Sequence, residues 1–293
     1  MALAEKTASA APPGAGWLWF PAPGKLNLML RVLRRREDGY HELQTVFRLV
    51  DRADLVGVRV RGDGRVSRVG EVTGVPEADD LALAAARLLQ SEAKVRLGAD
   101  LTLDKRLPVG GGMGGGSSDA ATVLLVLNRL WGAALDRPAL AALARRLGAD
   151  VPFFVFGRNA WGEGIGERLT PIEVEPAWYA VLVPPVAVST ARIYADPALT
   201  RQREPLTIPR FFRGPGANDL EPVATRRHPE IAVHLAWLRA RAPQAHMTGS
   251  GACVYAEFAT VSQARAVLAQ LPDTMRGFVT RGLDRHPLGD WAA

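Results

Sequence analysis

The sequence predicts an α+β protein built as two domains, and three observations carry that expectation. Its 293 residues suffice for one large core or two of ordinary size. Strand-like and helix-like segments follow one another without the regular alternation of a βαβ protein. Six glycines between 110 and 116 run directly into a helix-forming stretch, which sets a loop against a helix N-terminus. Residues 17–158 are expected as the first domain and 159–293 as the second. The Ala- and Pro-rich residues 1–16 lack the cationic start and apolar run of a signal peptide and are expected as a disordered tail.

Along the first domain, residues 17–30 are apolar and interrupted by Pro21, Pro23 and Gly24, a strand with an irregular start. Residues 55–60 and 101–103 read as further strands, and the Ala/Leu-rich stretch 80–90 as a helix. Ala121, Leu124, Leu125 and Leu130 recur near helical spacing over 119–131, so Ser117 or Ser118 is expected as the N-cap. A second helix follows Asp136, tolerates Pro138 in its first turn and stops at Gly148. Asp150 then stands before an apolar stretch, 151–154, that reads as a strand.

The second domain offers strand-like runs at 178–188 and 253–258, a helix over 262–270 and a last strand at 278–280. Residues 201–222 are rich in Arg, Pro and Gly with little periodicity and read as loop-dominated. No internal repeat is visible.

Hydrophobic residues at 48% and charged residues at 23% exclude a disordered or collagen-like chain. Cys253 is the sole cysteine, so the fold has no intramolecular disulfide and a reducing, cytoplasmic setting is expected. No apolar run reaches the roughly 18 residues of a membrane span, and no membrane partner is expected. The net charge of +6 suits a polyanionic partner, either a nucleotide or a nucleic acid. The arginines are scattered, the longest run being 34–36, and no aromatic-interleaved RNA motif is present. Only Lys6, Lys25, Lys94 and Lys105 remain as lysines, which makes each of them informative.

The glycine-rich stretch is the most specific feature. Glycine lets several backbone N–H groups converge on phosphate oxygens, and a helix N-terminus adds a favourable dipole. A flexible linker is the other reading, but linkers are not bracketed by an apolar strand and a helix. The Gly-Lys-Ser/Thr ending of the Walker loop is missing. Phosphoryl transfer to a hydroxyl also needs charge neutralisation and a group to orient or deprotonate the acceptor. Lys25 and Asp150, each an ionisable group beside apolar residues, are the candidates, although either could be an ordinary paired charge.

Three segments in order, Pro23-Gly-Lys-Leu-Asn-Leu28, the loop 108–120 and Met247-Thr-Gly-Ser-Gly-Ala-Cys253, resemble the three motifs of the galactokinase, homoserine kinase, mevalonate kinase and phosphomevalonate kinase superfamily. Residues 36–45 and 147–153 are similar to one branch of it, which acts on a cytidyl-bearing acceptor in isoprenoid precursor synthesis. The resemblance spans residues 17–283. It implies a small-molecule kinase with an N-terminal nucleotide-binding domain, a C-terminal ferredoxin-like domain and an active site in the cleft between them. ATP, bringing Mg2+ with it, would phosphorylate the 2-hydroxyl of a methylerythritol unit linked to a cytidyl diphosphate.

By position, Asp150 resembles the general base and Lys25 its charge partner. Pro108, Val109, Gly110, Gly111, Gly112, Met113, Gly114, Gly115, Gly116, Ser117 and Ser118 match the polyphosphate loop. Asn27, Tyr40, His41, Lys105, Thr190 and Tyr194 resemble positions around the acceptor, where Tyr194 and His41 also have ordinary core or turn readings. Asn218 and Asp219 match a family pattern and equally a turn or cap. No metal ligand is assigned, and a monomer or weak homodimer is expected. Gly24 replaces the family's usual Ala before the lysine, and Asp79-Asp80 replaces an Asn on the adenine side. A kinase of homoserine or mevalonate type is the near alternative, and a basic nucleic-acid-binding protein the distant one.

Overall fold

A computed structural model describes residues 16–72, 75–212, 214 and 216–291. All of the expected tail except Gly16 lies outside the described residues. Strand β1 (Leu18–Arg35) pairs antiparallel with β2 (His41–Arg61) across a turn in which Gly39 takes φ +86°. Their register shifts between Pro23 and Lys25, where proline can give the ladder no N–H, and the Lys25 amide donates instead to the Met113 carbonyl at 2.9 Å. The sequence marks only 55–60 of β2. Its first half buries Gln44, Thr45 and Arg48, and these polar residues interrupt the apolar signal that would reveal a strand.

Strands β3 (Val66–Arg68) and β4 (Gly98–Asp104) extend the sheet beyond β2, and β5 (Ala160–Glu163) with β6 (Arg168–Pro171) adds a hairpin to it. Helices α1 (Leu81–Glu92), α2 (Gly115–Leu130), α3 (Arg137–Leu147) and α4 (Val151–Phe156) pack together on this part. Asp80 caps α1 by accepting from the Ala82 and Leu83 amides, and Asp136 caps α3. Two expectations fail here. The N-cap of α2 is Gly114, at φ +73°, rather than a serine; the chain enters the helix early enough that Ser118 Oγ is free to donate to the Pro23 carbonyl at 2.7 Å. Residues 151–156 form a helix rather than a strand, with Pro152 fixing its first turn; a short apolar run looks alike in either state, and packing on α2 and α3 decides.

The remaining chain runs β7 (Trp178–Leu182), α5 (Thr190–Tyr194), α6 (Ile208–Phe211), α7 (Glu221–Arg227), α8 (Pro229–Arg239), β8 (His246–Met247), β9 (Val254–Phe258), α9 (Val261–Leu268) and β10 (Gly277–Leu283). The strand expected over 178–188 stops at Leu182, before the Pro184–Pro185 pair. Strand order is β10-β7-β9-β8 with every pair antiparallel, the arrangement of a ferredoxin-like β-α-β-β-α-β unit. A two-residue contact, Gly282 and Leu283 on Val50 and Leu49, joins it to β2.

Two apolar clusters fill the two parts, one under α1–α4 and one among α5, α7, α8 and the strands they cover. A third spans them: Leu26, Met29 and Val46 meet Tyr179, Cys253 and Tyr255, with Met113 of the glycine loop among them. Among the described residues no helix is long and apolar enough to cross a membrane. The Tyr255 hydroxyl crosses this junction and donates to the Asn27 carbonyl at 3.0 Å. Tyr255→Phe is expected to lower stability by about 1 kcal/mol, seen as a lower urea midpoint with an unchanged slope. An unchanged midpoint would mean that the bond adds nothing to the junction.

Candidate active site

One cavity of about 940 Å³ collects residues from all three sequence motifs. At its centre Lys25, 3% exposed, sits immediately after the β1 irregularity. Its ammonium donates to Asn27 Oδ1 at 2.5 Å and to the Gly112 carbonyl at 2.8 Å, and lies 3.6 Å from Asp150 Oδ2. Burial lowers the Lys25 pKa, while the Asp150 carboxylate works against that shift. Asp150, whose side chain is 36% exposed, stands at the start of α4 but makes no capping bond, so its carboxylate stays available to the cavity. The Asn27 amide is occupied at both ends: Oδ1 takes Lys25 and Nδ2 donates to Thr45 Oγ1 at 2.8 Å. It thereby orients the lysine.

The glycine loop wraps this centre. Gly110, Gly112 and Gly114 all take positive φ, which leaves their backbone in a conformation that other residues rarely adopt. A Cβ at Gly112 would lie 2.3 Å from the Thr248 carbonyl, and one at Gly114 would meet Phe154 and the Lys25 side chain. The loop is therefore packed directly on the 247–253 segment, to which it is also tied by the Cys253 amide donating to the Gly111 carbonyl at 3.1 Å. Thr248 Oγ1 accepts from the backbone N–H of Asn27 at 3.0 Å, and Asn218 Nδ2 donates to the carbonyls of Met247 and Gly249, both at 2.8 Å. Of the two sequence readings of Asn218, the turn is present as well, since its Oδ1 accepts from the Leu220 amide.

Lys105 sits under the loop, with its ammonium between Asp54 and Asp119 and within 3.2 Å of where a Gly115 Cβ would stand. Of the six residues expected around the acceptor, it is the one tied to the glycine loop. Two buried carboxylates share this one ammonium. Burial, with the Asp54 charge adding to it and Lys105 opposing, pushes the Asp119 carboxyl up to about 7. Asp119 Oδ1 has no hydrogen-bond partner. Asp54 also accepts from the Arg106 and Leu107 amides and so anchors the strand that feeds the loop. On the same wall, the Asp80 that replaces the family's usual pattern is consumed by capping α1 and pairing with Arg68.

The other end of the cavity gathers Tyr40, His41, Thr190 and Tyr194. Tyr40 is 60% exposed in the turn between β1 and β2, whereas His41 is buried. The His41 and Tyr194 rings lie 5.1 Å apart, tilted by 30°. Burial, then the Asp150 charge, holds the Tyr194 phenol well above its usual range, so it remains protonated. Thr190 Oγ1 lies 2.7 Å from Ser250 Oγ, which links α5 to the third motif. Sequence reasoning overlooked Asp54, Asp119, Thr45 and Thr248. Thr248 lay inside a motif already singled out, but nothing in the sequence distinguishes Asp54.

This arrangement of a glycine loop at a helix start, a buried lysine and a facing aspartate is matched by two family models. Residues 80–158 match the N-terminal domain of the GHMP kinases and residues 207–277 their C-terminal domain. A crystal structure of mevalonate kinase, 12% identical, superposes with a TM-score of 0.65 over 92% of this chain and 100% of that one, a likeness of fold alone. The fold and the loop thus define a GHMP kinase. A crystal structure of 4-(cytidine 5'-diphospho)-2C-methyl-D-erythritol kinase is more similar, with 37% identity and a TM-score of 0.79 over 91% of this chain and all of that one. The 4-diphosphocytidyl-2-C-methyl-D-erythritol kinase of Thiobacillus denitrificans is 61% identical over 272 residues, covering 93% of this chain and 98% of the relative. The chain belongs to this family of kinases, and it is an ATP-dependent kinase.

The Lys105 cluster gives a pH signature. In the unfolded chain Asp119 titrates near 3.8, and in the folded protein near 7. Between those values the folded chain holds a proton that the unfolded chain has released, so this group's contribution to stability falls as pH rises and levels off above the window. The unfolding free energy of the wild type relative to Asp119→Asn should decline over that range in urea titrations at a series of pH values. A flat difference would show that the shared ammonium satisfies both carboxylates.

Proposed function

We propose that the cavity binds ATP along the glycine loop and a cytidyl-diphosphate-linked methylerythritol at its other end, and that the γ-phosphoryl passes to the 2-hydroxyl of that acceptor. The observation that carries this reading is the 3.6 Å approach of Lys25 to Asp150 at the meeting point of the two ends. In it, Asp150 accepts the proton of the acceptor hydroxyl while the oxygen attacks the γ-phosphorus. The bond to the β-phosphate oxygen breaks, and ADP leaves. Lys25 stabilises the charge that develops on the moving phosphoryl. Backbone N–H groups of the glycine loop and the N-terminus of the 16-residue α2 hold the polyphosphate in this reading.

Lys105 is assigned here to the nucleotide side, because its ammonium lies against Gly115 rather than beside the Tyr40, His41 and Tyr194 rings. Magnesium is read as part of the ATP substrate; among the described residues no three His, Cys, Asp or Glu side chains gather to hold a metal ion. Tyr40 and Tyr194 offer flat faces for a pyrimidine, and Asn27 acts through Lys25. The boundary expected after residue 158 moves, because β5 pairs with β2 and β6 with β5: residues 17–158 together with that hairpin are proposed as the nucleotide-side domain, and the chain from β7 onward as its partner across the cleft. A cytoplasmic enzyme of isoprenoid precursor synthesis, acting on small molecules, completes the reading; the deeply buried Cys253 suits a reducing compartment.

Incubation of the purified protein with ATP and the cytidyl acceptor should release ADP, and the same acceptor without its cytidyl group should react much more slowly. Equal rates would favour another small-molecule kinase of the superfamily. Asp150→Asn should reduce turnover by roughly 100- to 10,000-fold with nearly unchanged ATP affinity by calorimetry, and retention of a tenth of the activity or more, on the order expected of a bystander, would remove it as the base. Lys25→Ala should lower kcat strongly and ATP affinity less, and Lys25→Arg should not restore the rate, because a planar fork cannot take the place of a compact ammonium. Full rescue by arginine would reduce Lys25 to a diffuse electrostatic role.

A further inference from the structure

Arg201 lies in the segment between α5 and α6 and is absorbed by none of the three motifs. Its guanidinium makes four hydrogen bonds: Nε donates to His41 Nε2 at 3.0 Å, one terminal nitrogen donates to the carbonyls of Tyr194 at 3.0 Å and Asp196 at 2.7 Å, and the other to that of Leu199 at 3.3 Å. The clasp joins the end of α5, which carries Tyr194, to the start of β2, which carries His41. It also has a chemical consequence. A guanidinium has only donors and keeps its proton in proteins, so the nitrogen that faces it must be a bare acceptor. The neutral imidazole then carries its hydrogen on Nδ1, and Nδ1 has no hydrogen-bond partner among the described residues, in a side chain that lines the cavity.

We propose that Arg201 is a positioning residue that locks His41 as the Nδ1–H tautomer, so that this ring offers the bound base a hydrogen-bond donor and thereby favours cytosine over uracil. This rests on the cytidyl reading above. The ring nitrogen N3 is an acceptor in cytosine and an N–H donor in uracil, so a donor-only group placed against it accepts the first and leaves two hydrogens opposed with the second. Burial first, then the Arg201 and Arg35 charges, lowers the pKa of His41, in keeping with a neutral ring. The 5.1 Å spacing to Tyr194 keeps the imidazole in the same wall as the aromatic face.

The experiment uses the full chain, with 15N-histidine labelling and with two acceptors that differ only in carrying cytosine or uracil. Wild-type spectra should show a protonated Nδ1 and a bare Nε2 on His41. Arg201→Met should raise KM for the cytidyl acceptor by roughly tenfold to a hundredfold, leave KM for ATP within about twofold, and shrink the cytidyl-to-uridyl preference. Arg201→Lys, which keeps a donor, should recover part of the preference. A merely structural clasp would weaken both acceptors alike. An Nε2–H tautomer in the wild type, or an unchanged preference in folded Arg201→Met, overturns the proposal. Should Arg201→Met fail to fold, the wild-type tautomer and the Arg201→Lys preference decide it. If the wild type turns over neither acceptor, the cytidyl reading itself fails, and the proposed selectivity with it.

Discussion

An ammonium at 3% exposure is tolerable only where neighbours replace the water it has lost, and for Lys25 those neighbours come from its own strand and from two distant stretches of chain. Asn27 lies two residues on in the same strand, Gly112 belongs to the phosphate-type loop, and Asp150 heads α4. Each is held in turn by something else: Asn27 by Thr45 and Thr248, Gly112 by its packing on the 247–253 segment, Asp150 by the short helix wedged against α2 and α3. Meeting the charge of one side chain therefore fixes the relative positions of β1, the glycine loop and α4. The same arrangement leaves the Asp150 carboxylate partly open to the cavity, where a reacting hydroxyl has to reach it.

That constellation depends on the apolar cluster that joins the two parts of the molecule. Met113 and Cys253 are buried in it, so the glycine loop and the third motif are pinned from below while their backbones face the cavity. Apolar side chains inside and bare backbone outside is the division that an anion-binding loop requires, since the amides must be rigid before the phosphate arrives. Glycine serves here for two separate reasons. At 112 and 114 it supplies a positive φ beside close neighbours, whereas at 111, where a Cβ would sit 2.8 Å from Cys253 Sγ, space alone excludes a side chain.

What the sequence disclosed follows from how locally each feature is encoded. The Asp136-initiated helix and its stop at Gly148 were legible because cap, first-turn proline and apolar spacing all lie within a dozen residues. Lys25, Asp150 and the glycine loop were legible as chemistry, since each residue type is costly or strained unless it is used. The α4 segment was misread because Val151–Phe156 has no polar residue to give a period, and its state is set by the surface it packs on. The serine cap of α2 was misassigned because a left-handed glycine starts a helix as well as a side-chain oxygen does. Asp54, Asp119 and the Arg201–His41 contact were silent for a different reason: the residues they join lie 14 to 160 positions apart, beyond any local pattern.

The choice of cation also records the geometry. The chain has 32 arginines and four lysines, yet both lysines that line the cavity are ammoniums packed against glycine. Lys25 Nζ would stand 3.2 Å from a Cβ at Gly249, and Lys105 Nζ 3.2 Å from one at Gly115. An ammonium is compact enough to sit against a glycine backbone, and by rotation it serves three neighbours at Lys25, namely Asn27, Gly112 and Asp150, and two carboxylates at Lys105. Arginine is used where a fork fits instead, as in Arg59, which donates to Asp100 through both Nε and a terminal nitrogen, and in the Arg201 clasp on three carbonyls and an imidazole. In a chain so biased towards arginine, a lysine beside a glycine marks a position where compactness, rather than charge alone, is required.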